Sequence, residues 1–181
     1  MKIACLGWGS LVWSPAVLHC VGGWRPDGPE LPLEFARTSQ DGRLTLVLTA
    51  GTKPLPCLWT EVEYTAPHHA QEALAGREGC TLPGIGLWPG DLPAHALGAD
   101  VIAAWALSRG LDAVVWTALK PKFDGIDGNA PASAEAALNH LKQLDARRLA
   151  KAQEYVERAP AQIQTPFRAA FEQVLGWHPI A

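Results

Sequence analysis

The sequence predicts an α+β fold, and three observations predict it. Strand-like runs fill the first third of the chain, helical periodicity fills the last third, and one late apolar run, 112–119, reads as a strand between helices. That order favours segregated strands and helices over a regular βαβ alternation. The chain has 181 residues, 48% hydrophobic and 18% charged. At this length a chain buries about two-thirds of the surface its unfolded form exposes, and needs neither metal nor disulfide to fold. No internal repeat or linker divides it, so one domain is expected over 1–181.

The first element is a short buried strand over 2–7, KIACLG, ending at glycine. Residues 31–39 and 43–50 read as two strands of a hairpin, because Gln40-Asp41-Gly42 supplies a tight turn. Residues 56–64, PCLWTEVEY, form another strand, with Cys57, Trp59, Glu61 and Glu63 on one side. A short helix fits 66–78, with Thr65 as cap, Pro67 in its first turn and Gly79 as its end. The Gly- and Pro-rich stretch 81–93 reads as loop, long enough to border a site. A buried helix over 98–109 closes at Gly110, and both parities of 112–119 are apolar, as in a strand covered on both faces. After a loop over 120–132, a stripe through Leu138, Leu141, Leu144, Leu149, Ala152 and Val156 predicts one long helix from Ser133 to Arg158. Glu154 and Arg158 stand four apart on it, in the favourable order for an ion pair. Thr165-Pro166 opens a last helix that Gly176 ends.

Several functions are disfavoured. Fifteen Lys and Arg against 18 Asp and Glu leave a net charge of -3, which argues against a basic nucleic-acid footprint. Apolar runs fall far short of the roughly 20 residues a membrane helix needs. Cys5, Cys20, Cys57 and Cys80 are widely spaced with no C-x-x-C pair, so neither zinc ribbon nor thioredoxin motif is expected. With no leader-like segment at the start, a reducing cytoplasm is the expected location. Gly7-Trp8-Gly9 has Val12 where a dinucleotide fingerprint needs its third glycine. Asp124–Asn129 has Ile126 and Gly128 where a calcium loop needs ligands, so it reads as turn chemistry. His68 and His69 are adjacent and point about 100° apart on a helix, and His19, His95, His140 and His178 show no ligand spacing. No metal and no cofactor is expected.

Two segments remain. Gly7-Trp8-Gly9-Ser10-Leu11-Val12-Trp13 follows the first strand, and Leu74-Ala75-Gly76-Arg77-Glu78-Gly79 closes the short helix. Together with the strand CLWTEVEY before the helix, they resemble the gamma-glutamyl cyclotransferase-like superfamily of ChaC-type and AIG2-like proteins. Members carry a loop of the form G-Y-G-S-L-x-W and, later, L-x-x-R-E. The resemblance covers the first 80 residues or so. It implies a small mixed β-barrel or strongly curved sheet with flanking helices. It also implies a small γ-glutamyl compound as substrate, converted to 5-oxoproline and a free amine, with Glu78 as general base. The chain departs from the pattern at Trp8, which stands where the family has a Tyr and so lacks a phenolic hydroxyl.

The implied chemistry makes three demands beyond orienting a chain whose nucleophile is internal. The glutamyl α-carboxylate must be held, and a turn of small residues with free amides, Gly9-Ser10-Leu11 beside Trp8, forms such a nest. The amine must lose a proton, to Glu78. The oxyanion needs donors, for which loop amides or Arg37 are candidates. Glu61 and Glu63 are rival bases. Lys120, Lys122 and Arg168 either contact an acidic substrate tail or are solvated surface. Two other kinds of function stay open: a non-catalytic small-molecule-binding or interaction module on the same scaffold, and acyl transfer or hydrolysis through Cys80 or Ser10. The oligomeric state is not legible.

Overall fold

A computed structural model describes residues 1–90 and 97–180. The end of the 81–93 stretch, Asp91-Leu92-Pro93, and His95 lie outside the described residues. Among these residues ten strands run in chain order: β1 (Ile3–Gly7), β2 (Cys20–Arg25), β3 (Glu30–Thr38), β4 (Leu44–Leu48), β5 (Pro54–Pro56), β6 (Leu58–Val62), β7 (Ile85–Trp88), β8 (Ala113–Thr117), β9 (Lys122–Phe123) and β10 (Ile126–Asp127). The helices are α1 (Pro67–Glu78), α2 (Ala99–Ser108), α3 (Ala134–Lys142), α4 (Ala146–Arg158) and α5 (Pro166–Leu175). The fold is α+β. Among the described residues the strands form two sheets and do not close into a barrel.

The first sheet has the order β2-β6-β1-β8-β7. Its centre is β1, antiparallel to β6 and parallel to β8. Both faces of β1 are buried, which is why its residues are apolar at every position. Ile3 and Cys5 meet Ala70 and Leu74 of α1 on one face. Ala4 and Leu6 face the main core, with Phe35 and Leu46 of the second sheet and Phe171 of α5. That second sheet runs β10-β9-β3-β4, with β5 on β3.

The β3–β4 hairpin forms as its turn chemistry predicts. Gly42 takes φ +84°, and the Ser39 amide donates to the Arg43 carbonyl at 2.9 Å. A bulge follows, because Phe35 faces Leu46 while Arg37 faces Thr45. Ala36 is the extra residue, so Arg37 leaves the core-facing parity that Phe35 occupies.

Four expectations are corrected. Ala66, not Thr65, caps α1, because the Thr65 hydroxyl is paired with His69 Nδ1 at 3.1 Å. The 81–93 stretch is not all loop: it holds a 3-10 turn over Leu82–Gly84 and then β7, paired with β8. Gly86 belongs in that strand because any side chain there would collide with the Trp116 indole. The 120–132 loop contains the β9–β10 hairpin, with Asp124 and Gly125 both at positive φ, 52° and 77°. The single helix over 133–158 is two helices, since Asp145 breaks it and its carboxylate caps α4 by accepting the Arg148 amide at 2.9 Å. Besides β7, β9 and β10, two more strands differ from the sequence expectation. β2 spans the Gly22-Gly23 pair at a sheet edge, and β5 is a Pro-Leu-Pro edge strand.

Candidate functional site

Glycine ends β1, and the chain then turns on itself: the Val12 amide donates to the Gly9 carbonyl and the Ser14 amide to the Ser10 carbonyl, both at 2.9 Å. As at any helical start, the first amides of such a turn have no partner inside it. Those of Gly9, Ser10 and Leu11 donate to no protein acceptor among the described residues. Both aromatic residues of the segment turn inward. Trp8 is buried and its indole N–H donates to the Leu46 carbonyl at 3.2 Å. Trp13 meets the ring of Tyr155 on α4 edge-on at 5.5 Å and lies under the Arg158 guanidinium. These contacts anchor the turn on the second sheet and on α4.

The other component is the end of α1, where Gly79 at φ +63° stops the helix. This leaves Arg77 and Glu78 in the last turn, beside the 9–14 turn. Arg77 ties the two segments together. Its Nη1 pairs with Glu78 Oε1 at 2.6 Å, its Nη2 donates to Ser10 Oγ at 3.1 Å, and its Nε and Nη2 donate to the Ser14 carbonyl at 3.1 and 2.9 Å. The side chains of Arg77 and Glu78 are only 11% and 17% exposed.

Glu78 and the turn border a common cavity of about 950 Å³. Of the residues singled out in the sequence, Trp8, Gly9, Ser10, Leu11, Arg37 and Glu78 all line it. Arg37 reaches it from the bulge in β3, but its guanidinium is occupied. Nη1 donates to the Lys120 carbonyl at 2.7 Å and lies 3.5 Å from Asp127. The rim is cationic, with Arg37, Arg43, Arg77, Lys122 and Lys151 against Asp41 and Glu78. Burial alone would raise the Asp41 carboxyl, but hydrogen bonds from Ser39 and Arg43 and the Arg43 charge hold it below the usual carboxylate range.

No family model matches the chain, and no curated protein does. Among solved structures, the crystal structure of a gamma-glutamyl cyclotransferase specific to glutathione, from yeast, is similar at a TM-score of 0.43 and 14% identity, over 97% of this chain and 98% of that one.

The remaining candidates fall elsewhere. Glu61 pairs with Arg25 at 3.1 Å, Glu63 is exposed, and neither borders the cavity. Cys80 does border it, but burial and the nearby Glu78 charge push its thiol up, away from the thiolate a nucleophile requires. Lys122 is at the rim, whereas Lys120 contributes only its carbonyl to Arg37. Arg168 is neither a substrate contact nor solvated: it is fully buried, and its guanidinium donates to four carbonyls around the end of α4. Among the described residues no group of three or more His, Cys, Asp or Glu is placed to hold a metal ion, and no helix is long and apolar enough to cross a membrane. All four cysteines are free.

Tyr155 is among the cavity residues the sequence did not reveal. It sits between Ala152 and Val156 in an apolar helical stripe, where an aromatic residue reads as core. Its hydroxyl accepts the Leu46 amide at 3.2 Å and lies where any side chain at position 9 would have to go. Gly9 is therefore glycine because a phenol occupies its side-chain space.

Proposed function

We propose that the protein is an intramolecular cyclotransferase that releases 5-oxoproline and an amine from a small γ-glutamyl compound. One observation carries this reading: a carboxylate, Glu78, is held beside a turn whose Gly9, Ser10 and Leu11 amides have no protein acceptor among the described residues, with Arg77 bridging the two.

The free amides of the turn and the cationic rim receive the glutamyl α-carboxylate. Holding it folds the glutamyl chain so that its own α-nitrogen approaches the γ-carbonyl, and orientation of this kind is worth up to about 7–11 kcal/mol. The α-ammonium gives a proton to the Glu78 carboxylate, and the freed nitrogen attacks the γ-carbon. The carbonyl electron pair moves onto oxygen. As that oxyanion collapses, the bond to the leaving nitrogen breaks, and that nitrogen takes the first proton back from Glu78. The ring nitrogen then gives up the second proton of the former ammonium, by way of the Glu78 carboxylate, to the departing amine, which leaves as an ammonium. Atoms and charge balance with no co-reactant. Arg77 positions Glu78 rather than reacting.

The test is release of 5-oxoproline from glutathione, γ-glutamyl amino acids and γ-glutamylamines. Glu78→Gln is isosteric and keeps an oxygen toward Arg77. It is expected to stay folded and to lose turnover by about 10²–10⁴-fold. A variant that turns over normally removes Glu78 as the base. A wild-type protein that binds these compounds without converting them is instead the non-catalytic binding module.

A further inference from the structure

The pieces of the site described above leave one demand unmet. The γ-carbonyl oxygen gains charge in the reaction, and the side-chain donors around the cavity are mostly engaged. Arg37 is held by Lys120 and Asp127, Trp8 by Leu46, and Arg77 by Glu78, Ser10 and Ser14. Tyr155 is different. Its ring is fixed on several sides, by Trp13 at 5.5 Å, by Phe35 at 6.3 Å and by the Arg43 guanidinium at 5.7 Å. The Leu46 amide fills one acceptor position of its hydroxyl, while among the described residues no protein group accepts its hydrogen. That hydroxyl touches the Gly9 position, and Tyr155 borders the same cavity as Glu78.

We propose that Tyr155 is a catalytic residue whose hydroxyl donates its hydrogen to the γ-carbonyl oxygen of the glutamyl group as that oxygen becomes an oxyanion. The inference rests on the cyclotransferase reading. A fixed donor with no protein acceptor in the resting site needs no rearrangement when charge develops, which is what makes an oxyanion donor effective. Leu46 sets the geometry from both sides of its Cα: its N–H orients the Tyr155 oxygen and its carbonyl holds the Trp8 indole. Burial, with a contribution from the Glu78 charge, pushes the Tyr155 phenol up to about 12, against the lowering effect of the Leu46 amide and of Arg43 and Arg77. The hydrogen is therefore present throughout the neutral range. No atom is transferred: the hydrogen bond strengthens in the tetrahedral intermediate and weakens on collapse.

The experiment compares wild type, Tyr155→Phe and a protein with 2,3,5-trifluorotyrosine at 155 in 5-oxoproline release. Phe keeps the ring against Trp13 and Phe35 but removes the donor. It is expected to lower kcat by about 10²–10³-fold with KM little changed. The fluorinated residue keeps the oxygen that Leu46 needs and lowers the phenol pKa. It is expected to fold as wild type and to add a descending alkaline limb to the pH profile of kcat. That limb is a readout a packing role would not produce, and it decides the matter if Tyr155→Phe fails to fold. Unchanged kcat in a folded Phe variant, or a rise in KM alone, overturns the proposal while leaving the cyclotransferase reading intact. A fluorinated protein with the wild-type pH profile does the same. A wild type that releases no 5-oxoproline overturns both together.

Discussion

Arg168 shows how a buried charge earns its place away from any chemistry. Its guanidinium donates to the carbonyls of Val156, Ala159, Pro160 and Ile163 at 2.8–3.1 Å, satisfying acceptors at the end of α4 and in the turn that follows it. Arg168→Met would keep much of the volume and strand those carbonyls. We expect a loss of about 3 kcal/mol or more in urea unfolding, with the far-UV spectrum of the folded state retained. The acid paired with Arg168 is Glu172, 3.5 Å from its Nε, and Glu34 is a separate buried acid. It is buried, it accepts the Phe35 and Phe167 amides and the Thr165 hydroxyl, and burial raises its carboxyl above 4.5 despite those hydrogen bonds. A raised folded-state pKa means that the folded form holds the proton more tightly than the unfolded form. The Glu34 contribution is therefore fully present below about 4.5 and is lost as pH rises through the folded value. Unfolding free energies measured across that window should fall with pH in wild type, and this component should vanish in Glu34→Leu. If the wild-type slope is retained in Glu34→Leu, Glu34 is not its source. Neither role was legible in the sequence, because each depends on partners that the chain brings together only when folded. Glu78 and the 8–11 turn were singled out because their two short segments resemble those of a known family, and the fold brings both to one cavity; Tyr155 was not singled out, because an apolar stripe conceals a phenol.

At the scale of elements, local chemistry predicts several turns and helix ends that the structure forms. Asp41-Gly42 made the β3–β4 turn, and Thr165-Pro166 and Gly176 bounded α5. Errors came where two signals competed. The apolar stripe from Leu138 to Val156 is continuous enough to predict one helix, yet Asp145 is a better cap than an interior residue, and the chain breaks there. Gly and Pro around 81–90 read as loop, although Gly86 is required by the Trp116 ring in the next strand. The same competition shaped the site. The break before α4 starts a new helix that brings Tyr155 and Arg158 onto Trp13, and the bulge at Ala36 takes Arg37 out of the core and to the cavity.

Over the whole molecule, the site lies where the first sheet, the second sheet, α1 and α4 converge. β1 carries the turn from the middle of one sheet, β3 and β4 supply Arg37 and Leu46 from the other, and the two helices contribute Glu78 and Tyr155. No single stretch of sequence contains more than a fragment of that arrangement, which is why the pairing of turn and acid could be anticipated and the cavity around them could not. The most direct test of the account is an amide NMR titration of folded Glu78→Gln with glutathione or a γ-glutamyl amino acid, in which slow turnover leaves the bound substrate in place. The account predicts that the Gly9, Ser10 and Leu11 amide resonances shift together as the site fills. Saturable binding that leaves those three amides unmoved and shifts resonances elsewhere would contradict it.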